Sequence, residues 1–288
     1  MVAALLVAAP VRAATQTDGW LGDLTTKVVG DVAAGKPLVV EVHVPLCQTG
    51  ITACGNAKLG DGDNPDTNLY WSTTPGFGVW FDRRGSGWKR LLATKTDTGD
   101  KDVLELRVYK RTLTTSGAWR KLGAPKTMDV VLVIHGWRGS QIDRALAAYA
   151  ADVSGQGTRT ITLADKSTIE AGGAAQIVSF VGHNRLMDLD TYKWPEPGKE
   201  TKGTIAIACH TSSYMKRDVT ASTRVPLLMT NDFLFSNAAP LEAAVLAFAR
   251  GGGYSKIRVD AATAYAGVQK KDVKRVMGAF TNPADLRW

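Results

Sequence analysis

The sequence predicts an α/β protein with a mostly parallel sheet flanked by helices. Short apolar runs rich in β-branched residues recur along the chain, and glycine bounds many of them, which favours strands over helices. In the second half of the chain, such runs alternate with amphipathic helical segments, the order found in β-α-β units. The strongest runs are apolar on both faces, as expected for central strands covered on both sides.

The N-terminal sequence predicts an exported protein. Residues 2–11 are apolar, and Val11, Arg12 and Ala13 form a small-x-small cleavage pattern. This is typical of a secretory signal peptide, here spanning residues 1–14, although a basic first segment is missing. The alternative is an ordinary apolar arm. The run is too short to span a bilayer, and we expect no transmembrane segment elsewhere. The expected location is therefore secreted or periplasmic.

The composition is that of a globular chain able to bury a sizeable core. Of its 288 residues, 44% are hydrophobic and 22% are charged. The formal net charge is +8, but the basic residues are scattered and do not alternate with aromatics, so we expect no specific nucleic-acid partner. We predict no cofactor and no metal, and the oligomeric state is left open.

Residues 15–127 are predicted to form a β-rich, aromatic N-terminal portion, either separate from the rest or continuous with it. Strands are expected at 38–47, 88–92, 103–109 and 119–122. The aromatic stretch 68–81 is expected to pack at the edge of the core, with a substrate groove as the alternative. Asp61, Asp63 and Asp66 are spaced as in a calcium loop, but the closing Glu of an EF-hand is absent.

Residues 128–288 carry the β-α-β pattern. The predicted strands lie at 128–134, 159–163, 176–181, 204–208 and 225–229, and the predicted helices at 141–153 and 239–250. We also expect a last helix that is capped by Asp260 and ends near residue 280.

The three cysteines divide into a close pair and a single residue. Cys47 and Cys54 lie seven positions apart in a turn-rich stretch, which predicts a small disulfide loop in an exported protein. Cys209 is then the odd thiol. The alternative is three reduced thiols, with Cys209 acting only as a small buried apolar side chain.

Two of the strongest strands are each followed by a reactive side chain. His183 follows the strand at 176–181 after Gly182, and Cys209 follows the strand at 204–208. Ligands of parallel sheets bind in the crevice outside the carboxyl ends of the strands. If the two strands are neighbours, the imidazole faces the thiol and can accept its proton or pair with the thiolate.

The segments VGHN at 181–184 and IACH at 207–210 resemble the caspase-like cysteine peptidases, which include clostripain, legumain, gingipains and metacaspases. In that family a catalytic His follows one central strand and the nucleophilic Cys follows the next, usually as Ala-Cys. The resemblance covers roughly residues 128–253. It implies a caspase-like sheet and hydrolysis of a peptide or protein substrate.

The same resemblance assigns roles to individual residues. Cys209 is implied to be the nucleophile and His183 the acid that protonates the leaving amine. Backbone N–H groups near Gly182 and Cys209 are implied to hold the oxyanion. Trp137 and Arg138, in the loop after the first strand, are implied to border the pocket.

The sequence departs from the family pattern at three points. Asn184 stands where Gly usually follows the histidine, and the 26 positions from His183 to Cys209 are about half the caspase spacing. The Gln-Ala-Cys signature is also absent. The motifs VPLC at 44–47, TNLYW at 67–71 and GHNRLMD at 182–188 resemble a group of exported bacterial proteins, a likeness that implies no chemistry.

The sequence leaves three alternatives to a cysteine peptidase open. A non-catalytic binding protein on a peptidase-like scaffold is the first. An esterase of the α/β-hydrolase type is the second, but no serine stands at the elbow position around Asn184. The third is zinc, for which the ligand types are present but not closely spaced: His135, His183, Cys209 and His210.

Overall fold

A computed structural model describes residues 16–219, 223–286 and 288. It confirms the prediction of an α/β protein: an eight-stranded, mostly parallel sheet carries helices on both faces. The predicted signal peptide, residues 1–14, lies outside the described residues. None of the helices in the described ranges is both long enough and apolar enough to cross a bilayer.

The secondary structure comprises ten strands and seven helices within the described residues. The strands are β1 (Leu38–Pro45), β2 (Lys89–Thr94), β3 (Val103–Thr114), β4 (Thr127–Trp137), β5 (Arg159–Thr162), β6 (Thr168–Ala171), β7 (Ile177–Val181), β8 (Lys202–Ile207), β9 (Arg224–Thr230) and β10 (Phe280–Thr281). The helices are α1 (Gln16–Ala33), α2 (Gly117–Lys121), α3 (Ile142–Val153), α4 (Thr211–Val219), α5 (Ala239–Ala249), α6 (Tyr254–Gln269) and α7 (Val273–Met277).

The main sheet has the order β10-β9-β8-β7-β1-β4-β3-β2. The five strands β1, β4, β7, β8 and β9 are parallel, whereas β2, β3 and β10 run antiparallel to their neighbours. Strands from both predicted portions of the chain therefore form one sheet, with β1 between β4 and β7. The predicted division at residue 127 does not separate two sheets.

Alternation along the strands builds an apolar core on each face of the sheet. On one face, residues such as Val40 and Val42 pack with α1, α5 and α6. On the other face, Val178 and Phe180 pack against α3, and Val39 packs with residues of the β5–β6 hairpin. Most aromatic side chains of 68–81 are buried in the first core, as the core-packing interpretation predicted: Tyr70, Trp71, Phe77 and Phe81.

Three local predictions are wrong. The segment around Trp119 is helix α2 rather than a strand, because the Ser116 side chain accepts a hydrogen bond from the Trp119 amide and caps a helical turn. β5 does not join the main sheet but pairs with β6 in a separate hairpin. Asp260 lies inside α6 and pairs with Lys256, whereas Asp272 caps the shorter α7.

The loop after β1 is closed by a disulfide between Cys47 and Cys54. Cys209 is the free cysteine of the chain. The thiol chemistry of the folded protein therefore rests on one side chain.

Candidate active site

Two neighbouring parallel strands bring His183 and Cys209 to one edge of the sheet. β7 and β8 pair in register up to Val181 opposite Ile207. His183 lies two positions beyond Val181, and Cys209 lies two positions beyond Ile207. Both residues therefore follow the carboxyl ends of adjacent strands by the same number of positions. Both side chains are partly exposed, so the sulfur is not sealed in packed hydrocarbon.

The topology of the sheet places a ligand crevice at the carboxyl ends of its central strands. Counted along the chain, the parallel strands have the order second, first, third, fourth, fifth, so the winding direction reverses between β1 and β7. Ligands of such sheets bind outside the carboxyl ends at that reversal point. The ends of the two strands are close there: a Cβ added to Gly182 would lie 3.3 Å from Cγ of Pro45.

A sharp turn carries the chain from Cys209 into α4. His210 has φ 51°, in the left-handed region that histidine adopts more readily than most residues. The hydroxyl of Thr211, the first residue of α4, donates to the Ala206 carbonyl at 2.8 Å and ties the helix start to β8. An anionic sulfur at this position is stabilised by the positive end of the helix dipole.

Asn184 fixes the two loops against each other. Its side chain is fully buried, and Nδ2 donates to the Cys209 carbonyl at 2.7 Å. Its Oδ1 accepts from the Leu186 amide at 3.3 Å. Glycine at this position would supply neither bond. The departure from the His-Gly pattern therefore adds a direct link between the His183 loop and the Cys209 loop.

Asp188 is a partner of His183 that the sequence analysis missed. Nε2 of His183 lies 2.6 Å from Oδ2 of Asp188, and Arg185 approaches the same oxygen at 3.3 Å. A carboxylate on one ring nitrogen sets the orientation and tautomer of an imidazole. The signal was present in the GHNRLMD motif, where the two residues lie five positions apart.

Hydroxyl and carbonyl groups surround the Cys209 sulfur. Sγ lies 3.9 Å from the carbonyl oxygen of Leu234, and within the described residues it makes no hydrogen bond to His183. Catalytic hydrogen bonds are often long in ligand-free enzymes and tighten only with substrate. The amide of Cys209 has no backbone partner in the described part of the chain, so it can donate to an oxyanion.

Tyr70 is a second contributor that the sequence did not single out. Burial raises the pKa of Tyr70 to about 12, and the nearby Cys209 adds to the rise. The phenol therefore stays protonated beside the sulfur. Its hydroxyl bonds to Ser236, whose own hydroxyl donates to the Gly182 carbonyl at 2.9 Å. The aromatic loop 68–81 thus connects to the loop of His183 and lies beside Cys209.

Three of the predicted site residues have other roles. The Gly182 amide donates to the Ile207 carbonyl at 3.3 Å, so it is not available for an oxyanion. Trp137 is the buried last residue of β4, and β4 is separated from β7 by β1. Arg138 forms ion pairs with Asp63 and Asp102. Trp137 packs in the same apolar cluster as Leu186, which follows His183 by three positions.

A buried ionic cluster lies on the face of the sheet that is covered by α3 and the β5–β6 hairpin. Glu41, His43 and Asp152 place their ligand-type atoms within 4.8 Å of one another. However, the Trp137 indole N–H donates to Nδ1 of His43 at 3.1 Å, so the His43 proton lies on Nε2 and points to Asp152 at 2.9 Å. Burial also lowers the pKa of His43, which keeps the ring neutral. Arg159 bridges both carboxylates.

This geometry does not fit a metal site. A metal ligand needs a free lone pair on His43 Nε2, whereas the indole bond places a proton there. The positive charge that a metal would bring is supplied by Arg159. The zinc ligands considered from the sequence are not brought together either. Within the described residues, Glu41, His43 and Asp152 are the group of three possible ligands that lie this close to one another.

Comparison of the chain with protein-family models, with curated proteins and with solved structures gave no match.

Proposed function

We propose that the protein is a cysteine-dependent peptide-bond hydrolase, with Cys209 as nucleophile and His183 as acid and base. One observation carries the proposal: β7 and β8 pair in register, and each ends two residues before one member of the pair. A thiol and an imidazole that follow adjacent strand ends, beside the reversal point of the sheet and both partly exposed, support a thiolate nucleophile with an imidazole base.

Each step of the reaction has a residue on this edge. His183 accepts the thiol proton, the Cys209 sulfur attacks the peptide carbonyl, and His183 returns the proton to the leaving amine. Asp188 keeps the ring in one tautomer and stabilises it when it is charged. The Cys209 amide and the N-terminal end of α4 stabilise the negative charge on the carbonyl oxygen. Water then hydrolyses the acyl-enzyme.

The caspase-like assignment belongs to this proposal. It is supported by the His strand and the Cys strand being parallel neighbours and by Ala208 preceding Cys209. The short spacing from His183 to Cys209 has a structural reason. The crossover from β7 to β8 contains only a 3-10 turn, Arg185–Met187, and otherwise extended chain, so it needs fewer residues than a crossover with an α-helix.

A peptide substrate with apolar side chains fits the opening. Phe233 is 69% exposed and Tyr214 is 43% exposed, although large apolar side chains are mostly buried in this protein. The ring of Phe233 packs edge-on against His210, at 4.6 Å between centroids, and Phe233 precedes the Leu234 carbonyl that contacts Cys209. The exposed rings therefore flank the nucleophile.

Alkylation with iodoacetamide tests the pairing. At neutral pH, His183→Ala is expected to slow alkylation of Cys209 by at least about tenfold, because the imidazole no longer supports the thiolate. Cys209 is the free thiol, so mass spectrometry of the intact protein under non-reducing conditions reports it alone. His210→Asn is the control, since Asn also tolerates the left-handed backbone, and it should react like the wild type. Equal rates for His183→Ala and the wild type would rule out the pairing.

Substitution of Phe233 tests the substrate class. Phe233→Ala is expected to raise KM for peptides with apolar residues by about tenfold while kcat is retained, because the lost contact binds substrate and transition state equally. Leu122→Ala, which removes an exposed apolar side chain next to α2, is the matched control. An unchanged KM in Phe233→Ala would show that Phe233 does not bind the apolar side chains of the substrate.

A non-catalytic exported binding protein is the second candidate. The absence of a hydrogen bond between Cys209 and His183 favours it, because the thiol contacts the Leu234 carbonyl instead. In that case the thiol should alkylate slowly, and His183→Ala should not change the rate.

A further inference from the structure

A cavity of about 630 Å³ lies between β3, β4, α3 and the β5–β6 hairpin. This volume is in the range of small-molecule sites, about 300–1,000 Å³. Neither Cys209 nor His183 is among its lining residues. About half of its wall is apolar, and the larger apolar side chains are Leu92, Val103, Leu106, Trp137, Ile161 and Leu163.

One polar group on the cavity wall is a histidine without a hydrogen bond. His135 lines the cavity and is only 2% exposed. Its Nε2 lies 2.7 Å from Oε1 of Glu41, but the contact is not aligned as a hydrogen bond, and neither ring nitrogen has another partner in the described chain. Nε2 thus faces the Glu41 carboxylate, and Nδ1 is the ring nitrogen to which a ligand can still bond.

Arg159 is the second polar group on the wall. Its guanidinium contacts Oε1 of Glu41 at 2.7 Å and both carboxylate oxygens of Asp152 at 2.9 Å. Glu41 and Asp152 are fully buried and do not line the cavity. The two carboxylates therefore contact Arg159 and His135 on the side away from the cavity and fix their orientation.

The charge of Glu41 is retained in this setting. Burial alone would raise its pKa, but His135 and Arg159 outweigh burial and lower the pKa of Glu41 to about 2. A ligand in the cavity thus meets hydrogen-bond donors whose orientation is fixed by carboxylates behind them.

The rim of the cavity carries both signs of charge. Lys166 adds a basic group, and Asp97 and Asp100 add acidic ones. Asp100 is already paired with Arg144 at 2.8 Å, and Asp97 is exposed to solvent. His135 and Arg159, which contact the buried carboxylates, are both able to donate hydrogen bonds.

We propose that this cavity is a second ligand site, separate from the cysteine site, and that it binds a small organic carboxylate with an apolar body. The carboxylate accepts hydrogen bonds from Arg159 and His135, and the hydrocarbon body packs against the apolar walls. Arginine matches the planar geometry of a carboxylate, and apolar walls with a few convergent polar groups are typical of small-molecule sites.

Isothermal titration calorimetry with hexanoate, hexanol and hexylamine tests the proposal on the whole chain. The three probes share an apolar body and differ in the polar end. Hexanoate is expected to bind saturably and at least about tenfold more tightly than hexanol, because bonds to charged donors contribute more than neutral ones. Hexylamine should bind more weakly than either. Equal or tighter binding of the amine, or no saturable binding of hexanoate, would overturn the proposal.

Two variants locate the binding. His135→Gln is expected to weaken hexanoate binding by about tenfold. Ala148→Phe fills the cavity from α3 and should abolish binding, whereas Ala147→Phe, an exposed neighbour that does not line the cavity, should not. Ala148→Phe changes no residue of the ionic cluster, so it remains informative if His135→Gln fails to fold. Undiminished binding in a folded Ala148→Phe protein would place hexanoate elsewhere.

Discussion

Cys209→Ala is expected to abolish hydrolysis of fluorescein-labelled casein, lowering kcat/KM by at least about 10³-fold, because removal of a nucleophile leaves only binding and oxyanion stabilisation. The loss should appear in kcat. The thermal unfolding midpoint should stay close to that of the wild type, since the side chain is small and partly exposed.

The control is Ser213→Ala, an exposed position on α4 close to the nucleophile in the chain. It should retain wild-type activity, which separates loss of the sulfur from disturbance of the helix start. Cleavage by Cys209→Ala at the wild-type rate would exclude Cys209 as the nucleophile. Absence of cleavage by the wild type on casein and on a peptide library would remove the hydrolase proposal altogether.

Arg159→Met is expected to lower the free energy of unfolding by about 3–5 kcal/mol, because it leaves two carboxylates buried without their shared cation. Glu41 and Asp152 are both fully buried, and Arg159 is the guanidinium that joins them. Methionine keeps most of the side-chain volume, so the effect reports charge rather than packing. Urea denaturation followed by tryptophan fluorescence measures it.

Arg138→Met is the matched control for the buried cluster. Arg138 also pairs with carboxylates, but its partner Asp63 is 61% exposed and its other partner, Asp102, keeps an ion pair with Arg144. Exposed ion pairs contribute about 0–1 kcal/mol, so this variant should unfold almost like the wild type. If both variants lost equal stability, the cluster would contribute no more than a surface pair.

Much of the candidate site was accessible from local sequence. The apolar runs that became β7 and β8 are short and glycine-bounded, so their ends could be placed within a residue or two. Once the ends were placed, His183 and Cys209 followed. The disulfide was also a local prediction, because Cys47 and Cys54 lie in the same turn-rich loop.

The roles of the remaining site residues could not be predicted from short stretches of sequence. Tyr70 comes from a loop far from Cys209 in the chain and was predicted only to pack in the core. Arg138 was predicted from a resemblance to border the pocket, and its ion pairs with Asp63 and Asp102 come from segments far away in the chain. Gly182 was predicted to hold an oxyanion, yet its amide continues the pairing with β8. These outcomes depend on strand order and on hydrogen bonds between distant segments.

The sequence by itself determined which segments form the five parallel strands, where two of them end, and that one thiol is free of the disulfide. These properties depend on side-chain periodicity, glycine placement and cysteine spacing, which act over a few residues. The tertiary structure decided that β1 is central, that Asp188 contacts His183 and Tyr70 lies near Cys209, and that Arg159 joins two buried carboxylates. Such contacts form only when segments far apart in the chain pack together, because burial then selects partners that no short-range pattern specifies.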